Sequence, residues 1–234
     1  MKYSFHGNNI IIVNGKVISS GNFSDASSKK IDEQKSVNAI GISRIDVDCD
    51  FGDIQINVGD TDSVSAHLYG EVITESSLKF DVSSSTDLIK IKVEFTGSQI
   101  SGTLKLQIDI PTKMFEEIHA NSEAGRITIS KGVKSERFNL KTMNGRIESY
   151  ATFKELEALT MNGNEEIYVD ANSDVYLDVS TMNGRIKIKL HNISNCQLSA
   201  SSMNGTVKRS YQRIIDGFTV YGKISTMNGK VSIE

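Results

Sequence analysis

The chain has 234 residues, with 26 Lys and Arg against 29 Asp and Glu, a net charge of −3 and 38% hydrophobic residues. That balance exerts no global pull toward nucleic acid or an anionic membrane. A single proline, Pro111, argues against a disordered or Pro-rich chain, and the length suits one large domain or two small ones.

From the N-terminus, residues 8–19 read as strand, Asn14-Gly15 turn, strand, and residues 20–39 as an exposed polar tether. Alternation returns at Ile45, Val47, Cys49 and Phe51. It resumes after Gly52 at Ile54, Ile56 and Val58, with Phe51-Gly52-Asp53 standing where later copies carry Met-Asn-Gly. Further strands are expected over 64–69, 78–82, 88–95 and 104–110, the last ended by Pro111. The stretch from Phe115 through Gly125 to Ile129 opens the regular half as an imperfect copy. No amphipathic helix of useful length appears.

The regular half is governed by a repeat. Met-Asn-Gly occurs at Met143, Met161, Met182, Met203 and Met227, 18 to 24 residues apart, each time after a hydroxyl residue: Thr142, Thr160, Thr181, Ser202 and Thr226. Periods of this size belong to stacked repeat folds. In the Met182 copy, Leu177, Val179 and Thr181 share one face before the triplet, and Ile186, Ile188 and Leu190 share one after it, so the unit reads as strand, corner, strand. An antiparallel meander could also use Asn-Gly corners. Stacked coils profit more from like residues at like corners, because strand spacing lines them up. The expected fold is therefore all-β: a stacked-coil solenoid with coils of about 20 residues and a less regular N-terminal β region. It predicts a structural turn ladder of Asn144, Gly145, Asn162, Gly163, Asn183, Gly184, Asn204, Gly205, Asn228 and Gly229, with the Asn-Gly pair chosen for its tolerance of positive φ. Glu165 interrupts the aliphatic position after the corner, and a bulge there would explain the slip. The expected division is 1–39, the N-terminal strand-turn-strand and polar tether, and 40–234, the β-solenoid repeat domain.

The run Asp48-Cys-Asp-Phe-Gly-Asp-Ile-Gln-Ile56, the run Leu104-Lys-Leu-Gln-Ile-Asp-Ile-Pro111 and the Asn-Gly-Arg/Lys-Ile/Val units resemble the bacterial putative-adhesin β-strand repeat family, the domain of unknown function numbered 4097. The likeness spans roughly residues 40–234. It implies that the solenoid is right-handed and β-helix-like, a bacterial origin and a link to cell-envelope stress or surface interaction. It supplies no catalytic residue.

Chemistry is sparse. His6, His67, His119 and His191 sit in unrelated contexts, and Cys49 and Cys196 lack ligand spacing, so no metal, cofactor or catalytic residue is expected. Stacking would align Arg126, Arg146, Arg185 and Lys230 into a row able to meet an anionic polymer, although charged rows also serve to protect strand edges. The expectation is a non-catalytic binding or scaffolding protein. Its partner would be an unidentified protein or anionic polymer, with no sequence-specific nucleic acid, and self-association could run through the solenoid ends. A glycan-active β-helix enzyme and a self-assembling structural protein are the alternatives. No apolar run reaches the roughly 18 residues of a membrane span and the start lacks a signal-peptide pattern, so a cytoplasmic location is expected. Residues 8–19 are expected to cover an open edge that the final unit, at the C-terminus, would otherwise expose, in their own chain or by exchange in a partner chain, the alternative being a free N-terminal hairpin.

Overall fold

A computed structural model describes residues 10–13, 16–20, 27–74, 77–97 and 100–234. Among these residues every regular element is a strand. The Met-Asn-Gly copies fold as two-strand units: β12 (Lys134–Asn144) with β13 (Ile147–Ser149), β14 (Thr152–Asn162) with β15 (Glu165–Asp170), β16 (Val175–Asn183) with β17 (Ile186–His191), β18 (Ile193–Ser202) with β19 (Thr206–Arg209), and β20 (Phe218–Asn228) with β21 (Lys230–Ile233). Two imperfect copies precede them, β4 (Arg44–Phe51) with β5 (Asp53–Val58) and β10 (Met114–Ala124) with β11 (Ile127–Ile129). The remaining strands are β1 (Ile10–Val13), β2 (Lys16–Ser20), β3 (Ser27–Asn38), β6 (Ser63–Thr74), β7 (Ser77–Ser85), β8 (Leu88–Thr96) and β9 (Ile100–Ile110).

First strands of the units build one sheet, in the order β18-β20-β16-β14-β12-β10-β4-β8-β7, and second strands build another, β19-β21-β17-β15-β13-β11-β5-β9-β6-β3. Pairing is parallel from β18 to β8 and from β19 to β9. It turns antiparallel only at the N-terminal end, at β7–β8, β6–β9 and β3–β6. Alternation dictates what lies inside. In β16, Val175, Leu177, Val179 and Thr181 are buried while Tyr176, Asp178 and Ser180 face outward. Inward residues of both sheets join one buried cluster, to which each Leu, Ile or Val contributes roughly 1.5–3 kcal/mol. Phe138 and Phe153 meet edge to face inside it, with ring centroids 6.1 Å apart.

Four expectations need correction. Residues 27–38 are not tether but the strand β3, paired along its length with β6. Ile31 and Val37 half-bury one face of it, and the charges between them suit an exposed sheet edge. The register sets Phe51 opposite Ala124, which is itself opposite Asn144. Gly52 therefore occupies the glycine position, and Asp50, not Phe51, the methionine position. There is no bulge at Glu165: it pairs in register with Ile147 and Ile186 and is buried. Finally, the last unit in sequence is not the last in space. β20 lies between β16 and β18, and β21 between β17 and β19, so the unit β18–β19 ends the stack. Part of that end is covered by the connection from β19 back into the stack. Ile214 N donates to Ile193 O at 2.8 Å and Tyr211 packs on the core, while within the end unit Arg209 Nη2 of β19 donates to Leu198 O at 2.9 Å. β1 and β2 pair antiparallel as expected, with their Asn14-Gly15 turn outside the described residues. They form a sheet of their own and join neither large sheet.

Candidate binding edge

Where each first strand bends into its second, the repeat chemistry produces a continuous rim. The hydroxyl residue points inward and donates to the glycine carbonyl of the neighbouring unit: Thr142 to Gly125 at 3.1 Å, Thr160 to Gly145 and Thr181 to Gly163 at 3.2 Å, Thr226 to Gly184 at 3.3 Å and Ser202 to Gly229 at 2.9 Å. Each such bond is worth about 1 kcal/mol net, and more if its loss would strand a buried group. Two residues on, the asparagine amides form a ladder along the rim. Asn162 Nδ2 donates to Asn144 Oδ1 at 2.9 Å, Asn183 to Asn162 at 2.9 Å, Asn228 to Asn183 at 2.7 Å and Asn204 to Asn228 at 2.8 Å. All four amides donate in one direction, so their dipoles add.

The glycine that follows is required for a reason other than the expected one. Gly184 is not at positive φ. A Cβ on it would lie 1.7 Å from the carbonyl oxygen of Gly163, and the other rim glycines from Gly125 onward face a neighbouring carbonyl just as closely. Close approach of one unit to the next, not turn conformation, excludes a side chain here.

After each glycine stands the expected basic row. The pairing of Ile127, Ile147, Glu165, Ile186, Val231 and Val207 across the second sheet aligns the residues before them as Arg126, Arg146, Asn164, Arg185, Lys230 and Thr206. All four predicted cations are brought together, but not in equivalent states. Arg126, Arg185 and Lys230 are exposed. Arg146 is half-buried and lies between two carboxylates, with Nη2 2.5 Å from Glu166 Oε2 and Nε 2.7 Å from Glu148 Oε1, the latter a charge contact whose N–H points elsewhere. Lys189 Nζ is 2.8 Å from Glu166 Oε1 and sits over the Tyr168 ring, which stacks on Tyr150. Lys189 first, then the charge of Arg146, holds the Glu166 carboxyl below its ordinary range.

Two features of the edge are not legible as sites in the sequence. Glu165, beside Glu166 but on the opposite face, is 1% exposed and neither carboxyl oxygen has a hydrogen-bond partner. Burial pushes its carboxyl well above the ordinary value. The backbone of Thr160 opposes that shift without closing a hydrogen bond. The methionines of the triplet form an exposed row on the outer face of the first sheet. Period alone gives their alignment, but only burial shows that they lie outside the core.

No helix among the described residues is long and apolar enough to cross a membrane. Two bacterial crystal structures are similar to this chain. One is a putative cell adhesion protein from Clostridium sporogenes, 12% identical, with 88% of this chain and 99% of that one aligned at a TM-score of 0.54. The other is a putative adhesin from Bacteroides fragilis, 12% identical, with 88% and 98% aligned at 0.50. Identity this low shows a shared fold alone. No family model and no curated protein matches the sequence.

Proposed function

We propose that the chain is a non-catalytic binding module of the bacterial putative-adhesin repeat kind, a right-handed β-helix-like solenoid whose Asn-Gly rim presents its basic row to an anionic polymer. The observation that carries this reading is the row itself. Arg126 and Arg146 stand one strand apart, Arg185 two strands beyond Arg146, and Lys230 one further. At about 4.8 Å per strand they track a line on a rim held stiff by amide and hydroxyl ladders. The names of the two similar structures agree with a surface-binding role. The functional unit starts at Ser27 rather than residue 40, because β3 belongs to the second sheet.

Binding carried by exposed cations is salt-dependent. The triple variant Arg126→Gln, Arg185→Gln, Lys230→Gln should keep its melting temperature and lose affinity for a teichoic-acid-type polyphosphate or a single-stranded nucleic acid of random sequence. Against the single strand, the slope of log K on log salt should fall by about 2, at about 0.7 per neutralised phosphate. Absence of any low-salt binding by the unsubstituted protein would end this reading.

A further inference from the structure

Five of the seven methionines in the chain are those of the triplet. The register that sets Thr142, Thr160, Thr181, Thr226 and Ser202 side by side makes the residue after each of them one column, in the order Met143, Met161, Met182, Met227, Met203. All five are exposed, from 39% at Met161 to 75% at Met203. They fill no gap in the core, the usual use of this side chain. Toward the N-terminal half the same column continues as Glu123 and then Asp50, so it is negatively charged at that end.

Spacing along the column is fixed by the asparagine ladder at the next residue, with its amide contacts of 2.7–2.9 Å. Neighbouring methionines therefore stand about one strand spacing, 4.8 Å, apart. A bond from a first-row metal ion to sulfur is about 2.3 Å long, so an ion held linearly between two sulfurs spans about 4.6 Å. The flexible side chain absorbs the difference. Thioether sulfur is a soft donor, and soft donors select Cu(I) over the harder divalent ions. A strip meant only for apolar docking would be served as well by leucine, which occurs nowhere in this column.

We propose that the methionine column binds a soft monovalent cation of the Cu(I) and Ag(I) class, between thioethers of adjacent units, with Glu123 contributing negative charge at one end. The basic row lies on the other side of the rim, and Arg146 within it is matched by Glu148 and Glu166. The site is independent of the anionic-polymer reading, since it uses none of the residues in that row.

The test is a titration of the full chain, labelled with 13C at the methionine methyls, with Ag(I) and with Cu(I) kept reduced under nitrogen. The methyl signals of Met143, Met161, Met182, Met203 and Met227 should shift at low molar ratio. Met114, exposed on β10 but outside the column, should not move. Met161→Leu with Met182→Leu keeps the apolar surface and removes two central donors. It should weaken Cu(I) retention against a chromophoric chelator by about tenfold, with the circular dichroism unchanged. The buried Cys49 and Cys196 are the competing soft ligands. Replacing both by alanine should leave the methionine shifts in place. Equal movement of Met114, shifts lost with the cysteines, or undiminished retention by the leucine variant would each overturn the proposal.

Discussion

Glu165→Ile should stabilise the protein, and should do so more at pH 8 than at pH 5. Glu165 occupies a column in which Ile54, Ile127, Ile147, Ile186 and Val231 are all buried. Its two carboxyl oxygens have no hydrogen-bond partner there. A buried polar group left unpaired costs about 1–3 kcal/mol even when neutral. Isoleucine has a similar volume and continues the stack, so at pH 5 a gain of about 1–3 kcal/mol is expected from removing that cost. The remainder depends on pH. Burial raises the folded-state carboxyl well above 4.5, so between 4.5 and the folded value the native chain holds a proton that the unfolded chain has released. Stability is then complete below the unfolded value and falls as pH rises, by about 1.4 kcal/mol per pH unit, until the folded group ionises. The isoleucine variant lacks this slope. Guanidinium unfolding of both proteins at pH 5, 6, 7 and 8 measures the difference directly, with unchanged m-values as the control for the unfolded state. Glu165→Gln separates the two parts, since it removes the slope but keeps a buried polar group. Parallel pH profiles for the isoleucine variant and the parent, or a loss of stability at pH 7, would refute the reasoning by showing that the carboxyl has a partner.

Gly184→Ala should cost about 3 kcal/mol or more, because its Cβ would lie 1.7 Å from Gly163 O and the two units would have to separate; thermal unfolding measures this. Thr181→Val keeps the shape and deletes the bond to Gly163 O, so a loss of about 1–2 kcal/mol is expected in denaturant titration. Removing residues 218–234 takes out a unit from within the stack rather than from its end. The truncated chain should therefore fail to fold as a compact species in size-exclusion chromatography, whereas a stack in sequence order would only be shortened.

The repeat made the strands, the inward and outward faces and both rim ladders readable, because stacking in register turns sequence period directly into columns. It could not give the order of the last two units. The triplets at Met203 and Met227 are chemically interchangeable, so a parallel ladder closes equally well on either. A subtler signal was present in the second strands. Val231 and Ile233 fill both inward positions of β21, whereas the corresponding residues of β19 are Val207 and Arg209. An arginine at an inward position suits only the end of a stack, where its guanidinium can turn to Leu198 O. Glu165 misled for the opposite reason. A carboxylate in an aliphatic column is ordinarily excluded by its desolvation cost, so a local slip looked more economical than a buried acid. Residues 27–38 look like tether in the sequence because β3 is an edge strand whose half-buried anchors, Ile31 and Val37, are diluted by Lys, Asp, Glu and Gln. As for the site, the basic row was legible as an alignment, but the ion pairing that sets Arg146 apart depends on Glu148 and Glu166, which lie on two different units.

The most direct test of the stacked, in-register architecture is disulfide trapping at the outward methionine positions, in a chain with Cys49 and Cys196 replaced by alanine. Adjacent parallel strands put paired Cα atoms about 4.8 Å apart, inside the roughly 4.4–6.8 Å that a disulfide spans, while a two-strand separation of about 9.6 Å lies outside it. Met182→Cys with Met227→Cys should crosslink readily under mild oxidation, and Met182→Cys with Met203→Cys should not. The reverse result would mean that the units stack in sequence order, and failure of Met143→Cys with Met161→Cys to crosslink would mean that they do not stack in parallel at all.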